Sequence, residues 1–411
     1  MNNKFTNSKI DRIINYFLVF LLVALSGFPF FTASKIPLIV GFIVTFFIFF
    51  IKGKKFNSFY FITVGLLILL TIAQSITFNF FSFNSSAGLI LRWTFPFLVV
   101  MIVGKKLPSY YINFIYLFAI ISFIFFIPSI LFPKFYSFLL NNISPIFDQS
   151  TPNDFRIYSP NIIFYTVRDY SHTGFYMSRN SGPFWEPGAY AGYTIIAIIF
   201  NTISNRSFLN KKNIVFLLAV LSTLSTAGYL ALSIFIFFYH LIIKRNIKSW
   251  LFLPIIIPLF IYSFTDLDII NTKLTNSVDQ LKYKDTNEKR SRVVSALVDL
   301  QDIIKDPIFG KGRSNITRFG EKEKSWWSHR NNGDTDFAVK YGLPFWFFYF
   351  YFVYFSFKKY SLSYDKKKSF ALIAISSILI IGFSETYFQQ SFFISLFYLH
   401  LVYINGKKKI I

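Results

Sequence analysis

The sequence predicts an all-α polytopic membrane protein, one membrane domain over 1–411 with about twelve crossings. Three observations predict it: composition, the length of the apolar runs, and the sidedness of the charges. Of the 411 residues 54% are hydrophobic, 22% aromatic and 15% charged, against about 45–50% apolar and about 25% charged in a soluble domain. The charged residues cluster between apolar runs of roughly 16 to 22 residues, the length that crosses a hydrocarbon core. The chain has no Cys, which excludes disulfides, thiolate nucleophiles and Cys-based metal sites.

Taken in order, the apolar runs are Ile13–Phe31, Ile36–Ile51, Ser58–Phe78, Gly88–Gly104, Tyr111–Phe132, Pro187–Ile203, Asn213–Ile243, Trp250–Phe264, Phe337–Phe357 and Ser369–Ile404. The first has no small-residue cleavage site after it and reads as a retained helix rather than a signal peptide. Two runs are too long for one crossing. Asn213–Ile243 lies between Lys211-Lys212 and Lys244-Arg245, and Ser369–Ile404 between Lys366-Lys367-Lys368 and Lys407-Lys408-Lys409. Equal basic flanks place both ends of each run on the same, cytoplasmic side. Each must turn back, the first at Ser225-Thr226-Ala227-Gly228 and the second near Glu385. The resulting topology has twelve passes with both termini cytoplasmic.

In this topology the cytoplasmic segments hold 22 of the 42 Lys and Arg and 2 of the 19 acids, a net of +20, which leaves +3 outside. The formal charge of +23 therefore orients the protein in the bilayer, and no nucleic-acid partner is expected. Two long connections face outward, residues 133–186 and 265–336. Val293, Leu297, Leu300 and Ile304 in the second recur at helical spacing up to Asp306-Pro307, which predicts an amphipathic helix on the membrane surface.

Ionisable residues within or at the rim of a span are costly and mark function. Arg92 is placed about one turn inside the outer end of its helix, Glu186 at the outer end of the sixth helix, and Glu385 at the last outer turn; Gln74, Gln389 and Gln390 fall in outer halves. Their shared depth predicts a polar cavity open to the outer leaflet. His240 and His400 fall at cytoplasmic helix ends and need no special role.

The most informative stretch is Arg179-Asn180-Ser181-Gly182-Pro183-Phe184-Trp185-Glu186-Pro187-Gly188. Pro187 suits the first turn of a helix and Gly182-Pro183 a turn before it, so Arg179 and Glu186 sit beside the positive end of a helix dipole, a natural anion site. This R-x-x-G-x-F-x-E-P-G pattern resembles the signature of the O-antigen polymerase and O-antigen ligase superfamily of bacterial membrane glycosyltransferases. Asp306-Pro307-Ile308-Phe309-Gly310-Lys311-Gly312, after a helix starting near Arg292, is similar to the family's outer-loop stretch. Ser328-His329-Arg330-Asn331-Asn332-Gly333-Asp334, followed by Gly342-Leu343, resembles its His-Asn region; counted back from Gly342, Asn331 takes the place of the family histidine and His329 is displaced by two residues.

The resemblance implies a GT-C-like glycosyltransferase of the bacterial cytoplasmic (inner) membrane whose site faces the periplasm or the exterior. Its partners would be undecaprenyl-diphosphate-linked oligosaccharide, the lipid bilayer, a chain-length regulator and a flippase. The expected reaction is polymerisation of an O-antigen or capsule glycan onto the non-reducing end of a lipid-linked repeat unit. Transfer to a lipid A core or protein acceptor, and translocation of the same lipid-linked sugars without chemistry, are the alternatives.

Such a transfer needs cations at the leaving diphosphate and, for inversion, a base. Arg179, Arg292, Arg92, Arg313 and Arg330 are the candidate cations, because a guanidinium stays charged and grips phosphate oxygens as a fork; Arg156 and Arg168 read as solvated loop residues. Glu186 and His329 are the candidate bases. A carboxyl at a membrane rim is raised by desolvation or lowered by arginines, and the sequence leaves that choice open. Asp266-Leu267-Asp268 and Asp334-Thr335-Asp336 have a metal-binding spacing, but arginines at the diphosphate make a metal dispensable, and no metal or cofactor is expected. Walker, dinucleotide and zinc-protease motifs are absent, which leaves ATP-driven, redox and zinc-hydrolase readings without support.

Overall fold

A computed structural model describes residues 9–147, 160–167, 179–205, 207–244, 292–319 and 332–403. The apolar run Trp250–Phe264, most of 265–336 and the Asp266-x-Asp268 pattern lie outside the described residues. Within them the protein is a helical bundle, and its helices begin where the sequence supplies a cap or a proline. The first half runs α1 (Lys9–Gly27), α2 (Pro29–Thr32), α3 (Ile36–Ile51), α4 (Ser58–Thr77), α5 (Phe83–Val103) and α6 (Leu107–Leu131). Asn57 and Ser82 accept from the backbone N–H of Tyr60 and Ser85 to start α4 and α5, satisfying donors that a helix leaves unpaired. Gly104, at φ 67°, then breaks α5 from α6.

Residues 133–147, expected as loop, contain α7 (Pro133–Phe138), a π turn over Leu139–Ile143 and α8 (Ser144–Phe147). Pro133 opens the first of these at a position where its missing N–H costs nothing. A two-residue hairpin follows, β1 (Asn161–Ile162) against β2 (Tyr165–Thr166). The second half contains α9 (Pro187–Ser204), α10 (Lys211–Ser222), α11 (Thr226–Phe238), α12 (Arg292–Lys305), α13 (Asn315–Phe319), α14 (Gly333–Ser363), α15 (Ser369–Ser384) and α16 (Ser391–Tyr398), the last extended by a 3-10 turn to Tyr403.

Both expected reversals are present. At 222–226 the chain turns on Leu224, which takes φ 46°, and Ser225 caps α11. Gly228 then packs on Ala191 near the start of α9, while Tyr239 lies 5.5 Å from Phe208 beyond its end, so α11 runs alongside α9. Glu385 is likewise the extended residue after α15, and Tyr403 returns to donate to the carbonyl of Lys105.

Two ends of the bundle are chemically distinct. One collects lysines: Lys52 pairs with Asp11 at 3.0 Å, Lys212 donates to Asn113, and Lys367 donates to the carbonyls of Ile242 and Ile243. The other carries Trp185, Glu186, Glu385 and Arg292. Between them α9 is the axis: every residue from Pro187 to Ile203 is buried, as a helix apolar all round requires. Aromatic side chains do much of the filling, for example Tyr111 stacked on Phe392 at 4.0 Å and Phe184 on Tyr193 at 4.1 Å.

Four helical stretches are long and apolar enough to cross a membrane by length and composition: Lys9–Gly27, Ser58–Thr77, Phe83–Leu131 and Thr226–Lys244. Ile36–Ile51, Ser369–Ser384 and Ser391–Tyr403 are shorter apolar helices. Large apolar side chains such as Phe47, Ile51, Leu69, Ile76 and Leu131 are exposed along α3, α4 and α6. Apolar surface on this scale belongs in lipid rather than water. The protein is a helical membrane protein.

Candidate functional site

Glu186 occupies the N-cap position of α9 in extended conformation, with Pro187 as the first helical residue, and its side chain leaves the helix's own N–H groups alone. It turns instead toward Glu385. The two carboxyls lie within hydrogen-bonding reach of each other, and Arg292, the first residue of α12, reaches both: Nη2 lies 3.2 Å from Glu385 Oε1 and 4.0 Å from Glu186 Oε2. Trp185 Nε1 donates to Glu385 Oε2 at 3.2 Å. A Cβ at Gly188 would sit 3.0 Å from Glu385 Oε1, so glycine there is what lets the second carboxyl approach the helix start. Burial first, and then the neighbouring Glu186, hold Glu385 well above the ordinary carboxyl range against the pull of Arg292. Desolvation disfavours the charged form, and two carboxyls in contact cannot both ionise freely.

α12 connects this pair to a second cluster. Its buried face carries Ser295, Ala296, Asp299 and Ile303, while Leu297, Leu300 and Ile304 of the expected apolar stripe are exposed. A helix that buries an aspartate and exposes leucines has its apolar face toward lipid and its polar face toward protein. Asp299 accepts from Thr335 at 2.7 Å and lies 3.9 Å from Arg318 of α13. Arg318 lies 2.8 Å from Asp336 Oδ1, and Lys340 and Gln389 donate to Asp336 Oδ2 at 2.6 and 3.1 Å. Asp336 falls below the ordinary carboxyl range although burial, the largest influence, pushes it upward; Lys340 and Arg318 pull it down. Its oxygens serve those cations and Gln389. Asp334 lies with Oδ1 against Gly382, and burial raises it well above the ordinary range.

The Asp306–Gly312 loop is locked into α14. Lys311 N donates to Val339 O at 2.7 Å and Leu343 N to Pro307 O at 2.8 Å. Gly310 and Gly342, at φ 64° and 78°, lie face to face; a Cβ on Gly342 would collide with Ile308 O, and one on Gly310 with Val339 O. Gly342, at φ 78° and ψ 160°, is a non-helical kink that divides α14 into two helical segments, the second opening after it as the Gly342-Leu343 pair led one to expect. The helix starts nine residues earlier, where Asn332 Oδ1 accepts from the N–H of Asp334 and Thr335 at 3.1 Å each. Gln74 clamps the arrangement from α4, donating to Phe309 O and Lys340 O.

The structure separates the arginines expected from sequence. Arg292 joins the carboxyl pair, whereas Arg179 donates from Nε to Thr223 O at 2.9 Å at the α10–α11 turn. Arg92 is deeper than expected because α5 begins at Phe83 rather than Gly88, which puts it nine residues into the helix. Arg92, Arg313 and the buried Tyr341 lie near one another, and Arg313 reaches Ser85 O. His329, Arg330, Arg156 and Arg168 lie outside the described residues. Arg318, Asp299 and Lys340 were not legible as site residues. Arg318 sits in the five-residue α13 with no motif around it, and only the acid-plus-base spacing Asp336/Lys340 on one helix face could have been noticed.

No protein-family model, no curated protein and no solved structure matches the chain.

Proposed function

We propose that the protein is a metal-independent glycosyltransferase that lengthens a lipid-linked glycan at the outer face of the bacterial cytoplasmic membrane, in a twelve-pass topology with both termini inside. The observation that carries this reading is one end of a lipid-facing bundle bearing a carboxyl pair bridged by Arg292, joined through α12 to further cations. A substrate with a polyprenyl tail, a diphosphate and sugars needs those three environments side by side. The exposed stripe Leu297, Leu300 and Ile304 would meet the tail. Arg292, Arg92 and Arg313, with Arg179 and Arg330 as further candidates from the motif, would neutralise the diphosphate.

In the reaction, the acceptor hydroxyl oxygen attacks the anomeric carbon of the donor. Its C–O bond to the diphosphate breaks, and the electron pair leaves on undecaprenyl diphosphate. The hydroxyl proton passes to the Glu186 carboxylate, with His329 as the other candidate base. The charged groups gather at one end rather than at mid-bundle, which favours an enzyme over a transporter, whose site sits near the bilayer midplane.

The deciding experiment incubates purified protein in nanodiscs with authentic lipid-linked repeat units and EDTA. A ladder of longer lipid-linked glycans is expected. Translocation of repeats without lengthening would sink the enzyme reading, and transfer only when a lipid A core is added would make the protein a ligase.

A further inference from the structure

The proposed chemistry needs an ionised Glu186, yet Glu186 is within hydrogen-bonding reach of a second carboxyl that no part of that chemistry uses. Glu385 is 7% exposed and lies in the turn between α15 and α16. Three features build it into the site rather than leave it there by chance. Gly188 lacks the Cβ that would crowd Oε1, Trp185 Nε1 donates to Oε2, and Gly333 brings its backbone against the carbonyl of Glu385. Both Glu385 oxygens are thus addressed by groups from different segments, and Arg292 supplies one positive charge to two acids.

We propose that Glu385 is a positioning residue that holds one proton between itself and Glu186, orienting the Glu186 carboxylate toward the acceptor. The proposal rests on the transferase reading above. One cation cannot balance two carboxylates in a buried pocket, so the pair at rest holds one proton and one negative charge. A protonated Glu385 donates to Glu186, whereas loss of its proton leaves two like charges in contact. The other titratable groups around it are Arg292 from α12, Tyr193 from α9, Tyr387 in the same turn and Asp334 at the start of α14. Tyr193 is buried, and burial raises Tyr387 well above the ordinary phenol range and Asp334 well above the ordinary carboxyl range. Activity is therefore lost on the alkaline side when the shared proton leaves.

Three variants are compared for glycan ladder formation across pH. Glu385→Gln keeps a donor facing Glu186 at every pH, so it is expected to rescue turnover to within about threefold of wild type while the alkaline limb disappears. Glu385→Ala removes the donor and is expected to lose roughly tenfold or more in kcat with little change in KM. Glu186→Gln removes the base and is expected to lose on the order of 10²- to 10⁴-fold. Equal losses in Glu385→Gln and Glu385→Ala, or an alkaline limb that survives in Glu385→Gln, would overturn the proposal.

A second readout needs no substrate. Trp185 donates to Glu385, so the pH titration of tryptophan fluorescence should show a step that both Glu385→Gln and Trp185→Phe remove. A step present in the folded Glu385→Gln protein would count against the pair. No ladder but an intact step defeats the transferase reading alone; a ladder without the step defeats the shared proton alone.

Discussion

At the scale of single residues, the site depends on atoms that are missing as much as on atoms present. Gly188 admits Glu385 to the start of α9, and Gly192 does the same for Tyr387, whose hydroxyl donates to Gly188 O at 2.7 Å. Gly188→Ala is accordingly expected to displace the Glu385 carboxyl and cut turnover several-fold with the fold intact, checked by ladder assays beside thermal melts. The Glu385 proton also has a stability consequence. Its folded carboxyl binds a proton more tightly than the unfolded one. The stability it contributes is therefore complete below the unfolded carboxyl's titration near pH ~4.3, and it is lost as pH rises through the folded value. Melting temperature in detergent should fall over that window, and the fall should be shallower in Glu385→Gln; an identical slope in both would contradict the raised carboxyl.

Elements cooperate through two locks. In the first, Gly310 of the loop after α12 meets Gly342 in the kink of α14, each at positive φ. Gly342→Ala brings a Cβ onto Ile308 O in a backbone region that L-residues avoid, so a loss of at least about 1–3 kcal/mol is expected, read as a lower denaturation midpoint. In the second, Asp336 ties α13, α14 and the Glu385–Gln390 turn together through Arg318, Lys340 and Gln389. Removing it strands the buried Lys340 and leaves Arg318 only Asp299 at 3.9 Å, so Asp336→Ala should cost roughly 3–5 kcal/mol. Reversal by the added change Lys340→Met would identify stranded charge as the cause; no recovery would point to packing instead. Both locks hold α12, and hence Arg292, against the bundle.

For the whole molecule, the absence of cysteine makes the topology directly testable, since every introduced thiol is the only one present. Cysteines placed at Lys54, Lys211 and Lys366 should react with a membrane-impermeant reagent only after the membrane is opened. Cysteines at Ser82 and Lys311 should react from outside in intact cells. A lysine-end position labelled from outside would invert the orientation and remove the outer-face site with it.

How much of this was legible in the chain follows from the range of each interaction. Helix existence, the two reversals and the asymmetry of charge depend on local composition, caps and flanking lysines, and these could be read directly; Ile36–Ile51 matches residue for residue. Starts at polar positions were missed, as at Phe83 and Gly333, because Ser82 and Asn332 cap helices whose first turns are not apolar. The motif Arg179–Gly188 lies at the end of the bundle that carries Glu385 and Arg292, yet its arginine and glutamate part company there: Arg179 turns to Thr223 and Glu186 to Glu385. Only the tertiary structure decided that Glu186 and Glu385, 199 positions apart, share one pocket and one arginine, and that Arg318 neutralises Asp336. Membrane insertion is written in composition because lipid acts on each segment separately, whereas pairing of buried charges is decided by helix packing, which brings together residues that no local pattern relates.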